Sequence, residues 1–261
     1  VPSFSMSKSY ISALIGIAHD EGLIKSTDQK VTEYLPELKS NGFDNVTIEH
    51  LLQMTSGMEF NENYRSPFSD ASTYYYGTNL RRQVSKIKLK HEPGTHFEYA
   101  SGNTQILALI LEKVLQGKTV TDYLNEKIWQ PLGMEYDATW SIDSKKSGLE
   151  KAFCCINARA IDFAKFGMLY LNKGRWQGKQ IIHEKWVEKS TAVETVGASP
   201  WHYQYHWRMV SADSKDYYAA GWLGQFIYVN PEKNIVIVRL GKNFGGVNWI
   251  DLFAGYSKSI N

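Results

Sequence analysis

The chain has 261 residues, long enough to bury a large core, and its 29 Lys plus Arg against 27 Asp plus Glu leave a formal net charge of +2. With this near balance and no basic run longer than pairs such as Arg81-Arg82, it lacks the electrostatic footprint of a nucleic-acid binder. No apolar run approaches the roughly 20 residues that span a bilayer, so no transmembrane segment is expected. The 8 Trp and 16 Tyr exceed the needs of a core and leave aromatics for a cleft or for half-buried surface. Both cysteines are adjacent, Cys154-Cys155, and sequence neighbours rarely bridge, so neither a disulfide framework nor zinc-ligand spacing is expected.

In chain order, Phe4-Ser5-Met6-Ser7-Lys8-Ser9 runs into an apolar helix from Tyr10 to Ala18, which Gly22 stops. Ser5 and Lys8 stand three apart, so on a helix they leave one face about one turn apart and put an amine beside a hydroxyl. A serine is a weak nucleophile until a base takes its proton, and a desolvated amine can serve as that base. The helix N-terminus adds free amides where an oxyanion would form. Taken alone, Ser-x-x-Lys equally describes a capping serine and a solvated lysine. Thr47 then caps a short helix through Met54, on which His50 reads as a structural hydrogen-bonder rather than a base.

Residues 59–76 are aromatic-rich without a period, the pattern of a surface or binding loop. A basic amphipathic helix is predicted over 79–88, and Pro93-Gly94 turns the chain toward Tyr99. Helices follow over 104–115 and 121–129, then over 158–171 with Ile161, Phe163, Phe166 and Leu169 inward, and over 182–189 with Trp186 inward. From there the period changes to alternation, and four strands are predicted: Tyr203–Val210, Asp216–Ala220, Gln225–Val229 and Ile235–Leu240. Pro231-Glu232-Lys233-Asn234 turns between the last two, and a helix closes the chain over 247–260. Helices in the middle and strands at the end predict an α+β chain.

Three signatures stand in order: Ser5-Met6-Ser7-Lys8, then Tyr99-Ala100-Ser101, then Trp222-Leu223-Gly224 ahead of Gln225. With flanking stretches such as "HLLQMTSGM" and "GQFIYVNPEKNIVIVRLG", the chain resembles the serine β-lactamase and penicillin-binding-protein superfamily over nearly its whole length. It looks most like the class C-like branch, which also holds esterases, D-amino-acid peptidases and 6-aminohexanoate-dimer hydrolases. The resemblance implies an antiparallel sheet flanked by helices, formed from 1–22 and 141–261, with a mostly helical domain from 23–140 inserted. Relatives carry further strands before the nucleophile helix. Their absence here would leave a sheet edge exposed, so a longer gene product, or another chain filling that place, is expected.

For the site, the resemblance implies Ser5 as nucleophile, with Lys8 and Tyr99 moving its proton. The amides of Ser5 and Gln225 would form the oxyanion hole, and Ser101, Trp222, Leu223 and Gly224 would contact substrate. No metal and no cofactor is implied. Trp222 stands where many penicillin-recognising relatives carry lysine, and Ser101 where the β-lactamases usually carry Asn. Both departures weaken the grip on a β-lactam and favour small-molecule esters or amides. A D-alanyl-D-alanine carboxypeptidase or weak β-lactamase, and a non-catalytic binding protein on the same fold, are the alternatives.

Overall fold

The helix that follows Ser5, α1 (Ser7–Asp20), is buried from Ser7 to Ala18. A helix with no solvated face must have neighbours on every side, and α1 is accordingly the central element of the fold. A computed structural model describes residues 1–260. The helices after α1 are α2 (Val31–Tyr34), α3 (Ile48–Leu52), α4 (Asp70–Tyr76), α5 (Leu80–Val84), α6 (Ser101–Val114) and α7 (Val120–Leu124). Then come a short pair, β1 (Thr139–Trp140) with β2 (Ile156–Asn157), helix α8 (Ala160–Leu171), the ribbon of β3 (Arg175–Trp176) and β4 (Lys179–Gln180), and α9 (Glu184–Ser190). The main sheet closes the chain with β5 (Tyr203–Gln204), β6 (Trp207–Met209), β7 (Tyr217–Gly221), β8 (Gln225–Asn230) and β9 (Ile235–Arg239), and α10 (Trp249–Ser259) follows.

The sheet is an antiparallel meander in the order β5-β6-β7-β8-β9. Strand β8 is buried at every residue because helices cover both of its faces. On one face α8 packs so closely that a Cβ at Gly167 would lie 2.7 Å from Val236 and 2.9 Å from Ile227. On the other face Phe253 of α10 joins Phe226 and Tyr228 in a small second core. Helix α1 bridges the two halves. Tyr10 stacks on Phe166 of α8 at 3.7 Å between ring centres, and Gly16 admits the Trp186 indole of α9. Its other side meets α6. Among the described residues, no helix is long and apolar enough to cross a membrane.

Most expected elements form near their expected bounds, and the exceptions have local causes. The expected strand Tyr203–Val210 folds back on itself, because Tyr205 and His206 take positive φ (43° and 68°) and form a two-residue turn that pairs Gln204 with Trp207. Within 59–76 a helix forms after all, α4, capped by the Ser69 hydroxyl accepting from the Ser72 N–H. The basic helix over 79–88 shrinks to the single turn α5. Tyr170 is buried on α8, whereas Ile161 is 44% exposed. The cysteine expectation is overturned: Cys154 and Cys155 are joined in a vicinal disulfide. Cys155 takes a φ of 75°, which turns the chain so that the two side chains converge.

Because α8 and the sheet touch through a missing side chain, Gly167→Val should overpack the interface and cost about 1–3 kcal/mol. Denaturant titration should show a lowered midpoint at unchanged slope. A midpoint at or above the parent value would contradict the close packing.

Candidate active site

Ser5 sits in a 3-10 turn, Phe4–Met6, that leads directly into α1. Phe4 adopts a φ of 45°, a conformation that L-residues rarely take and that surrounding structure must enforce. The enforcement is visible. Ser3 N–H donates to the Ile156 carbonyl at 2.8 Å, and the Ser3 hydroxyl accepts from Ile156 N–H at 3.1 Å, which ties the turn to β2. From the other side Gly221, the end of β7, presses on the same turn, and a Cβ there would lie 2.2 Å from the Ser3 carbonyl oxygen.

One turn into α1, Lys8 is 1% exposed. Its Nζ donates to Ser5 Oγ at 3.1 Å, to Ser101 Oγ at 3.1 Å and to the Phe153 carbonyl at 2.8 Å, so all of its donor directions are used. Ser101, the first residue of α6, donates through its N–H (2.7 Å) and hydroxyl (2.5 Å) to the Glu62 carboxylate, which also accepts from the Tyr64 hydroxyl. Tyr99, just before α6, has its ring centre 5.1 Å from Lys8 Nζ and 5.2 Å from the Arg208 guanidinium carbon. Burial first, then the neighbouring Tyr99 and Glu62, hold the Tyr64 phenol well above its ordinary pKa, so it stays protonated.

Ser5 and Ser101 open onto a cavity of about 260 Å³ whose walls include Phe4, Tyr75, Phe153, Cys154, Trp222 and Leu223. The turn carrying Trp222 is braced from behind. Arg239 donates to the carbonyls of Gly224 and Asn243, and Leu223 and Gly224 both take positive φ, 64° and 80°. Gln225 does not line the cavity. Its buried side chain donates to the carbonyls of Trp222 (3.2 Å) and Gly241 (2.6 Å) and accepts from Gly241 N–H at 2.9 Å. The Trp222 indole lies beside Tyr64, with ring centres 5.0 Å apart.

The structure thus brings Ser5, Lys8, Tyr99, Ser101, Trp222 and Leu223 together and adds Glu62, Tyr64, Phe153 and Arg208, none of which a spacing rule reveals. The aromatic-rich stretch 59–76 was the one signal for Tyr64 and Tyr75. His50 has a structural part, exchanging two hydrogen bonds with Thr47 at the start of α3. A second histidine lies closer to the site. His206 is buried, meets the Tyr203 hydroxyl through Nδ1 at 3.2 Å and, among the described residues, leaves Nε2 without a partner. Burial, and secondarily the charge of Lys8, push its pKa down to about 3.

The fold and this cleft define a β-lactamase-type protein. The chain belongs to the β-lactamase family, whose profile matches residues 1–248. Among curated relatives it is 29% identical over 256 residues to the 6-aminohexanoate-dimer hydrolase of Paenarthrobacter ureafaciens, covering 90% of this chain and 64% of that protein's length. Among solved structures, a Bacillus anthracis protein provisionally described as a 6-aminohexanoate-dimer hydrolase superposes with a TM-score of 0.85 at 26% identity, covering 98% of this chain and 70% of that one. A family VIII carboxylesterase shares the fold with a TM-score of 0.70 at 17% identity, over 96% of this chain and 82% of its own.

The state of His206 sets a pH dependence of stability. Its folded pKa of about 3 lies below the ordinary value, so unfolding takes up a proton in between. The stabilisation is fully present above about pH 6.5 and should be lost progressively as pH falls toward about 3, by up to several kcal/mol. Denaturant midpoints measured across that window should fall steeply for the parent and less steeply for His206→Gln. Parallel slopes would remove His206 as the cause.

Proposed function

We propose that the chain is a serine hydrolase that cleaves carboxylic esters or amides through an acyl-enzyme on Ser5. The observation that carries this reading is the hydrogen bond of 3.1 Å between the buried Lys8 amine and Ser5 Oγ, on the wall of a cavity lined mostly by aromatic and apolar side chains. Lys8, with Tyr99 beside it, takes the Ser5 proton as Oγ attacks the acyl carbon. The bond to the alcohol or amine then breaks, and Tyr99 returns the proton to that leaving group. Water attacks the ester on Ser5 in the second half, giving up its proton along the same path, so the sum is substrate plus water to acid plus alcohol or amine.

The oxyanion formed in both halves requires two amides. Ser5 N–H, in the 3-10 turn that leads into α1, is one. The second is the Gln225 N–H at the start of β8, just beyond the Trp222-Leu223 turn that lines the cavity and that the Gln225 side chain braces. Each donor is worth about 3–4 kcal/mol of transition-state stabilisation. The likeness to 6-aminohexanoate-dimer hydrolases supports an acyl substrate of the amide or ester kind.

A fluorophosphonate should add covalently to Ser5, mapped by mass spectrometry. Ser5→Ala should lose the adduct and at least about 10³-fold of p-nitrophenyl butyrate turnover. A folded protein that forms no adduct and turns over no ester would overturn the reading.

A further inference from the structure

The short segment from Phe153 to Ile156 holds both Lys8 and the Ser5 turn, and the vicinal disulfide sits in its middle. On one side of the bridge, the Phe153 carbonyl accepts from Lys8 Nζ at 2.8 Å. On the other, Ile156 exchanges two hydrogen bonds with Ser3, the residue before Phe4. The same stretch is pinned at Ala152, whose carbonyl accepts from the Ser7 hydroxyl at 3.0 Å, and at Cys154, whose carbonyl accepts from the Trp140 indole N–H at 2.9 Å. A change of backbone direction between 153 and 156 must therefore be taken up at the amine, at the Ser5 turn, or at both.

Cys155 sets that direction. Its φ of 75° lies in the left-handed region, which a residue with a side chain keeps only when something enforces it. Its carbonyl meets the Ser141 N–H and the Asn157 side-chain amide at 3.4 Å each, too long to hold it firmly. The ring closed by the two sulfurs is the stronger constraint, since it ties the Cys155 side chain to its neighbour across a single peptide unit. Both cysteines are buried, but Cys154 lines the cavity beside Ser5, so a small solute that enters the cavity reaches the bridge. Reachable bridges that constrain a disfavoured backbone are the ones that exchange with thiols.

We propose that the Cys154–Cys155 bridge is a redox switch on the cleft: oxidised, it holds Lys8 and the Ser5 turn in their working positions, and its reduction by a dithiol lowers turnover. This goes beyond the reading of Ser5 as nucleophile and rests on it. A thiolate of the reductant attacks the Cys154 sulfur and expels the Cys155 thiolate, which takes up a proton. The second thiol of the reductant, as thiolate, then attacks its own mixed-disulfide sulfur, leaving Cys154 as a thiol and the reductant as a cyclic disulfide. Two electrons and two protons pass to the protein, and a disulfide oxidant reverses both steps. With the ring open, Cys155 relaxes toward negative φ, the Phe153 carbonyl turns from Lys8, and the bonds between Ile156 and Ser3 loosen.

The test follows p-nitrophenyl butyrate turnover as the protein is reduced with dithiothreitol and reoxidised with oxidised glutathione, while iodoacetamide labelling read by mass spectrometry reports the free thiols. Oxidised protein should take no label and reduced protein should take it at both cysteines. Reduction should lower kcat/KM by about 10-fold or more, and reoxidation should restore it. The double variant Cys154→Ser/Cys155→Ser should stay at the reduced level with or without dithiothreitol. Cys154→Ser/Cys155→Gly should recover part of the loss, because glycine accepts positive φ without a ring. Labelling of the oxidised protein, a kcat/KM unchanged by reduction, a Ser/Ser variant that still responds to dithiothreitol, or a glycine variant no better than Ser/Ser overturns the proposal. Should the double variants fail to fold, the reversible cycle on the parent decides. If the oxidised protein turns over no ester and Ser5 takes no fluorophosphonate, the hydrolase reading fails separately. Amide hydrogen exchange at Ser3 and Ile156 then judges the switch: faster exchange on reduction sustains it, and equal rates remove it.

Discussion

The whole cleft depends on one buried amine. Lys8 is 1% exposed, and a group of this kind is tolerated in an interior only if every donor direction finds an acceptor. Its three acceptors come from three separate parts of the chain: the Ser5 turn, the first residue of α6, and Phe153 on the segment leading to β2. Satisfying the amine therefore fixes the helical layer, the Ser5 turn and the sheet-side segment relative to one another. The burial of α1 on all sides follows from the same requirement, since it must deliver Lys8 to the seam where these parts meet.

Around that amine the backbone is held in conformations it would not adopt alone. Phe4, Cys155 and Leu223 all have positive φ, at 45°, 75° and 64°, and all belong to segments that border the cavity. Such residues persist when neighbours over-determine them. The bonds between Ser3 and Ile156 hold the first, and the Arg239 and Gln225 side chains brace the turn of the third. Gly221 is required for a different reason, the close approach of β7 to the Ser3 carbonyl. The result is that Ser5, the proposed nucleophile, is presented by a turn rather than by a regular helix.

These features mark what was legible in the sequence. Long periodic segments such as α1, α6, α8 and the β7–β9 meander are visible because one repeated pattern decides them. Ser5, Lys8, Tyr99 and Ser101 are visible because they sit in short motifs. What stayed hidden depends on tertiary contact. Nothing local says that Tyr203–Val210 will turn at Tyr205 and His206, since neither is a glycine, or that Cys154 and Cys155 will converge. Glu62 looks like any surface glutamate in a polar loop, and Arg208 like any polar residue on the solvated face of a strand. Gln225 follows a motif and is expected there for its backbone amide; what no motif reveals is the part of its side chain, which braces the turn.

Glu62 also gives the proton path its direction. The single proton of the Ser101 hydroxyl is donated to Glu62, so toward Lys8 that oxygen can only accept. The Phe153 carbonyl can only accept as well. Two of the amine's hydrogens are thereby held by fixed acceptors in either protonation state. The remaining position on nitrogen faces Ser5 Oγ. When the amine is neutral, that position is a lone pair aimed at the Ser5 proton; when it is charged, it is a hydrogen aimed back at Oγ. A proton can therefore move along only one of the three contacts, the one that ends at Ser5 Oγ. Were Ser101 free to rotate, its own proton could occupy the lone pair and leave Ser5 without a base. On the proposed reading, a carboxylate with no role in bond making thus decides which of the two hydroxyls beside the amine serves as nucleophile.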